Sequence, residues 1–381
     1  MESRVREKEM SALLGTAHDL DLDAEEEEQK GNVVLTSKRK NRYEIVKPLV
    51  SGNNSTVYLV NHIRENGSIT KMAMKAENQG INPESTGFAL ANEIRFLVEY
   101  QKRWRDQVRG CDHLLPICDY GHSKKYKFFI MPLLGPNLDQ LREEMKREFS
   151  PGTAVRLSLQ ALDAVSMLHQ IKILHTRIEP SHLCIGTEHK RNMLFLIGLG
   201  HIVTFSKAPT WNRKARYSPR AIANKSVSNM ELECWFFTLL DLLCRNELPW
   251  NKFKNMTKET VEERKLVMFN SAAAGGLQHR GSALAHVPGE VRALCVIMNK
   301  SSFKAADLRY QLIKYLNRTN VSLHSPYEWE ETTEYLASKD IKPESNLYKQ
   351  NVSAIHKCTK ELMKNYKPPQ KDPDSLISGE G

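Results

Sequence analysis

From Tyr43 the chain alternates short apolar, β-rich runs with turn residues. YEIVKPL, then TVYLVNHI after a Gly/Asn/Ser turn, then KMAMKAE predict an antiparallel meander. Phe88 to Trp104 carries apolar residues at helical spacing, and two further strand-like runs, LLPICDY and KFFIMPLL, follow it. Five strands and one helix make a small lobe over about 41–134. Beyond Gly135 the period changes to that of helices. Ser150 and Pro151 supply a capping group and a fixed φ, after which Val155, Leu159, Leu162, Val165 and Leu168 recur at steps of three or four. Leu232 to Leu243 (LECWFFTLLDLL) is apolar on nearly every side and predicts a helix buried at the centre of a large lobe over about 135–330. The expected fold class is α+β and bilobal.

The ends differ in texture. Residues 1–40 alternate acidic and apolar positions and then turn basic, the composition of a disordered leader. Residues 331–381 contain one amphipathic stretch, VSAIHKCTKELMKNY, before a Pro/Asp/Ser/Gly tail expected to be disordered. At 381 residues, with 40% apolar and 26% charged, the chain can bury a full core. It has no apolar run of the roughly 18 residues a membrane helix needs, and its first thirty residues lack a secretory pattern. An intracellular protein of cytoplasm or nucleus is expected, with no membrane partner. Lys38, Arg39, Lys40 and Arg42 form a short basic run of the kind nuclear addresses use. The seven cysteines are an odd set without a CxxC pair, so buried reduced thiols are expected rather than disulfides or a zinc knuckle.

The formal net charge of +10 understates a basic excess, because Asp19 to Glu28 holds seven acidic residues and no basic one. Such an excess suits nucleic acid, an anionic surface, or acidic and phosphorylated proteins. Sign alone does not choose among these.

A sheet-rich lobe followed by a helical lobe is the order of a protein kinase, and local strings carry the resemblance further. MPLLGPNLDQL resembles the hinge and following helix of the casein kinase 1 group, and ILHTRIEPSHLCIG its catalytic loop, usually H-R-D-I-K-P-S-N. KARYSPRA resembles the end of that group's activation segment, and ELPW and EWE its later landmarks. The likeness runs from about Asn41 to Trp329 and is greatest to the tau-tubulin kinases. It implies the kinase fold; fold alone does not imply activity.

Phosphoryl transfer needs a loop over the phosphates, a lysine paired to a glutamate, magnesium ligands and a carboxylate base. Where the family has G-x-G-x-x-G-x-V, this chain has VSGNNSTV, with Gly52 the one glycine kept and Val57 after it. Side chains at the other two positions weaken any phosphate cradle. Ala73 and Lys75 match the family's A-x-K, and Glu93 matches its helix glutamate, so this ion pair is kept. The resemblance adds Met131, Leu133 and Leu134 as the hinge wall of a nucleotide pocket. Lys75 and Glu93 read either as a phosphate contact or as a clamp on the small-lobe helix; the losses that follow favour the clamp.

The catalytic loop aligns without a gap. Arg177 stands where the catalytic aspartate belongs, and a permanently protonated guanidinium accepts no proton. Glu179 replaces the lysine that neutralises the transferring phosphate. His182 replaces a magnesium-ligating asparagine, although magnesium prefers hard oxygen donors. Leu196 replaces the metal-binding aspartate. No catalytic position is intact and no metal site is expected, which points to a pseudokinase acting as a binding or scaffolding module. The alternative is a divergent, active serine/threonine kinase in which Glu179 takes over base or metal duty. ATP without magnesium is the one cofactor the reading leaves open.

The anion side is better equipped. Lys207 to Lys225 holds six basic residues and no acidic one, and Arg216 matches an arginine that the casein kinase 1 group uses to hold phosphate or acidic residues. Arg213, Lys214, Arg216 and Lys225 are therefore the candidate anion contacts, and acidic or phosphorylated proteins the expected partners. A solvated basic loop reads equally well. With only Trp211 and Tyr217 available for stacking, nucleic acid is not expected. The acidic stretch Asp19 to Glu28 is complementary to this segment and could fold back on it as a substrate mimic.

Overall fold

The computed structural model describes residues 23–29, 32–52, 55–78, 87–104, 113–211, 214–251, 256–273, 284–285 and 287–331. Four of the predicted strands are present as β3 (Arg42–Ser51), β4 (Thr56–Ile63), β5 (Ile69–Asn78) and β7 (Tyr126–Pro132), whereas the run LLPICDY is extended without pairing as a strand until its last two residues, which begin β6 (Asp119–His122). The predicted helix between them is α1 (Gly87–Glu99), which runs on into a wide turn over Tyr100–Trp104.

The described part of the leader departs from expectation. Residues 23–29 and 32–40 supply β1 (Glu25–Gln29) and β2 (Asn32–Thr36), which pair with each other and then with β3, while residues 1–22 and 30–31 lie outside the described residues. The sheet therefore has seven strands in the order β1-β2-β3-β4-β5-β7-β6, all antiparallel neighbours. Its two edges also meet, because Asp23 bridges His122 and the Ala24 amide donates to the His122 carbonyl at 2.7 Å. The hairpin closes the sheet, and closure removes the open edges that an ordinary small sheet exposes.

Closure creates a second core. Leu35, Tyr43, Val60, Met74, Ala76, Phe128 and Ile130 are buried together inside the curl, with Ala24, Val33, Ile45 and Tyr58 packed against them. Strand alternation does the sorting: Met74 and Ala76 point inward, whereas Lys75 between them points to α1. Tyr43 donates its hydroxyl to buried Asp119 at 3.0 Å and Asn41 donates to the same carboxylate at 2.8 Å, so the start of β3 is tied across the curl to edge strand β6.

Three acidic residues of the hairpin are engaged on the small lobe. Glu26 accepts from Ser123 Oγ at 2.9 Å and pairs with Lys125 at 3.1 Å, Glu25 faces Lys40 at 3.8 Å, and Asp23 faces His122 at 3.4 Å. For these three the contacts differ from the expected fold-back on the Lys207–Lys225 segment; residues 19–22 lie outside the described residues.

In the large lobe α2 (Leu138–Met145) starts from a capping box between Asn137 and Gln140. Next, α3 (Pro151–Gln170) begins where Ser150 accepts from the Thr153 amide at 3.3 Å. The short pairs β8 (Ile173–Leu174) with β11 (Val203–Thr204), and β9 (Leu183–Ile185) with β10 (Leu194–Leu196), carry the loops of interest between them. The all-apolar run forms α4 (Val227–Cys244), where Trp235 donates to the Ser158 carbonyl of α3 at 2.8 Å. α5 (Lys258–Ala273) meets α4 where Phe269 packs on Phe236 and Phe237, and α6 (Gly289–Met298) and α7 (Ala305–Arg318) pack on each other, α7 also against α3. Near the end, Glu328 accepts from the Ser150 amide at 2.8 Å while Arg156 lies over the Tyr327 ring, 3.9 Å from its centroid. No helix among the described residues is long and apolar enough to cross a membrane. The predicted C-terminal amphipathic helix lies outside them.

Candidate functional site

The site is built where three loops of the large lobe meet α1 and β5. Lys75 on β5 donates to Glu93 Oε2 at 2.5 Å. Glu93 is 4% exposed, and its other oxygen accepts from the Leu199 amide at 3.2 Å. One carboxylate thus joins the small-lobe sheet, α1 and the segment after β10. Above it, Val50 pairs with Val57 and Val57 with Lys75, while Ala73 lies opposite Met131 across the sheet. Gly52 sits at the turn, its amide donating to Ser55 at 2.9 Å. Leu133 and Leu134 leave β7 half-buried, and the Leu133 carbonyl accepts from Thr187 at 3.0 Å.

The catalytic-loop backbone is held in a left-handed bend at Thr176, whose φ is 68°. A non-glycine residue keeps such a conformation only when its surroundings fix it. Here Glu231 of α4, fully buried, accepts from the Thr176 amide at 2.6 Å and from His169 Nε2 at 2.8 Å, and Thr176 Oγ1 donates to the His201 carbonyl at 3.1 Å. Sequence reasoning missed Glu231, although a charge inside an otherwise apolar helix signals an internal partner.

His175 is fully buried, its Nε2 against the Ile197 carbonyl at 2.9 Å and its Nδ1 accepting from the Arg177 amide at 3.3 Å. That pattern fixes one neutral tautomer. Burial, with His182 beside it, pushes its pKa down to about 3. His182 donates Nδ1–H to the Arg177 carbonyl at 2.8 Å, and its ring lies edge-on to His175 with centroids 5.7 Å apart. It packs on Gly198, where a Cβ would come within 3.0 Å of the ring. Gly198 adopts φ 81°, so both its backbone angle and the imidazole demand glycine there. Burial holds the His182 pKa below its ordinary value, and His201 is pushed down to about 4 by burial and by the positive charges of Arg177 and Lys75. All three imidazoles are neutral at pH 7.

Leu196 and Arg177 have different surroundings. Leu196 is 1% exposed in β10, opposite Leu183, and belongs to the large-lobe core rather than to the cleft. Arg177 lies within electrostatic reach of His201. Glu179 is 5% exposed; it accepts from Ser181 Oγ at 2.5 Å and from Lys214 Nζ at 2.9 Å. Glu179 thus meets a cation from the Lys207–Lys225 segment, a pairing that only the tertiary structure makes. Among the described residues no group of three or more His, Cys, Asp or Glu side chains is placed to hold a metal ion.

The candidate anion contacts divide. Lys214 is half-exposed and committed to Glu179. Arg216 is half-buried with its guanidinium 5.9 Å from the Tyr217 ring centroid. Lys225 corrects the sequence reading: its side chain is 2% exposed, paired with buried Glu233 and donating to the Met298 carbonyl at 2.8 Å, so it is a structural cation. Arg220, also buried, makes a forked contact with Glu233 and lies over Phe269, 3.4 Å from its centroid. Arg213 lies outside the described residues. Buried Lys265, which the sequence reading did not single out, donates to the carbonyls of Ala215 and Ser218 at 2.7 and 2.6 Å and so pins the segment's end.

No family model matches the chain. Curated relatives do. A Caenorhabditis elegans protein is 22% identical over 306 residues, 79% of this chain and 77% of its own length. A second from that organism is 25% identical over 220 residues, 51% of this chain and 66% of its own. A Dictyostelium discoideum protein is 27% identical over 240 residues, 59% of this chain and 45% of its own. All three carry the name serine/threonine-protein kinase, provisionally in each case. Fold and relatives together support the protein kinase superfamily.

Proposed function

We propose that this chain, which shares its fold and its curated relatives with the serine/threonine protein kinases, is a catalytically inactive protein of the casein kinase 1 type, nearest the tau-tubulin kinases, that works as a protein-binding or scaffolding module. One observation carries the reading. The cleft offers a permanent cation, Arg177, at the position of the base, a core leucine at one magnesium-ligand position, and a neutral imidazole packed on Gly198 at the other. A general base is worth about 10²- to 10⁴-fold, and the metal several kcal/mol more. Glu179 is a poor substitute because it is buried between Ser181 and Lys214. The Lys207–Lys225 segment, with exposed Lys207 and half-buried Arg216, is the proposed contact for acidic or phosphorylated proteins.

The test is phosphoryl transfer by purified full-length protein with magnesium or manganese, using acidic and basic peptide mixtures as acceptors. No transfer above a no-enzyme control is expected. Metal-dependent transfer that disappears in both Lys75→Ala and Glu179→Gln overturns the reading and installs the divergent-kinase alternative.

A further inference from the structure

Lysine is rarely buried completely, and Lys265 of α5 is. Its ammonium lies over the Phe237 ring, 3.7 Å from the centroid, and 5.6 Å from that of Trp250. Its two hydrogen bonds go to main-chain carbonyls, Ala215 at 2.7 Å and Ser218 at 2.6 Å. Between those carbonyls lie Arg216 and Tyr217. They form a single tight turn, closed by the Tyr217 amide donating to Lys214 at 3.0 Å and the Ser218 amide donating to Ala215 at 3.2 Å. Tyr217 is buried and Arg216 half-buried, so the turn is gripped from the inside while Arg216 points towards the surface. The direction in which that guanidinium leaves the protein depends on the grip.

We propose that Lys265 is the positioning residue of the Arg216 turn, and that the charge on its amine sets how tightly this segment binds an acidic protein. The proposal rests on the acidic-partner reading given above and adds the regulation of that same surface. Glu233 and Cys234 face Lys265 from α4, Glu262 from its own helix and Arg220 from the chain after the turn. Glu233 is already engaged by Arg220 and Lys225, and burial holds the Cys234 thiol in its neutral form. Burial therefore outweighs the attraction of these groups and pushes the Lys265 pKa down to about 7. Below that value the ammonium makes two charge-assisted bonds and a cation–π contact; above it a neutral amine makes weaker ones. The fold as a whole gains by shedding a buried charge while the turn loses its firmest anchor. Stability and acidic-peptide affinity should accordingly move in opposite directions as pH rises through 7.

The experiment is fluorescence anisotropy of the full chain with a labelled aspartate-rich peptide, whose carboxylates stay ionised, between pH about 6 and about 8.5 at one ionic strength. Wild-type affinity should fall about five- to tenfold over this range, the scale of one weakened charge-assisted bond. Lys265→Met should bind weakly at the acid end and show no comparable fall. Hydrogen exchange at the Tyr217 and Ser218 amides, corrected for the intrinsic effect of pH, is the second measure. It should quicken with pH in the wild type and be fast throughout in Lys265→Met, with the α4 amides protected in both. If Lys265→Met does not fold, the wild-type profile decides. A wild-type affinity that does not fall with pH, or a folded Lys265→Met that matches the wild type at every pH, overturns the proposal and leaves the acidic-partner reading in place. No wild-type binding at the acid end, or equal binding by Arg216→Ala, removes that reading and the proposal with it.

Discussion

Leu35→Ala tests whether the N-terminal hairpin is part of the folded small lobe. Leu35 is completely buried, lies opposite Tyr43 in the β2–β3 register, and shares the inner core with Met74, Phe128 and Ile130. Truncation to alanine removes three carbon atoms, about 2.4 kcal/mol of transfer free energy at about 0.8 per methylene. A cavity term adds to this, because a closed barrel wall tied at Asp119 collapses poorly, and Leu→Ala in such cores costs about 2–5 kcal/mol. About 3 kcal/mol is therefore expected. For a domain of this size, at about 2 °C per kcal/mol, that lowers Tm by about 6 °C. The assay is scanning calorimetry at pH 7, with urea midpoints as a second measure. Ile69→Ala is the control, since Ile69 on β5 is 60% exposed, and it should change stability by less than about 0.5 kcal/mol. If Leu35→Ala shifts Tm no more than Ile69→Ala does, the hairpin is not closing a core and the seven-stranded description fails.

Three further outcomes follow from buried polar groups. Glu231→Ala strands the Thr176 amide and His169, and should destabilise by about 1–3 kcal/mol in urea, with Glu231→Gln recovering most of it because an amide oxygen still accepts from the Thr176 amide. His175 and His201 titrate at about 3 and about 4 when folded but at about 6.5 when unfolded. The unfolded chain therefore binds protons first, stability should fall as pH drops from about 6.5 towards 4, and His175→Asn should reduce the slope of a urea-midpoint against pH plot. Lys265, buried over Phe237 with its centroid 3.7 Å away, is pushed down to about 7 by burial despite Glu233 and Glu262 nearby. Above pH 7 the unfolded chain keeps a proton the folded lysine has lost, so wild-type stability should gain between pH 7 and 10, a gain that Lys265→Met abolishes.

Much of the architecture is written in local patterns. The alternation in β3, β4, β5 and β7, the Ser150–Pro151 start of α3 and the all-apolar face of α4 are short-range signals, and each formed the element it predicted. The hairpin was partly legible too. NVVLT is a β-rich run after a glycine, but the acidic stretch before it gave the whole leader the composition of a solvated chain. Strand formation there depends on an apolar face to cover and on Ser123, Lys125 and His122 to meet the acids, and those partners lie about a hundred residues away.

The proposal that the usual proton acceptor and magnesium ligands are missing comes from the residue types at positions 177, 179, 182 and 196 by themselves, because a guanidinium cannot take a proton and a leucine has no lone pair to give. Only the tertiary structure decided where the remaining charges go. It buried Lys225 against Glu233, so a cation that looked available is structural, and it brought Lys214 to Glu179 across thirty-five positions of sequence. Charge is a property of each residue, whereas solvation and partnership belong to the folded surroundings, and the energy of a charged group depends far more on the second.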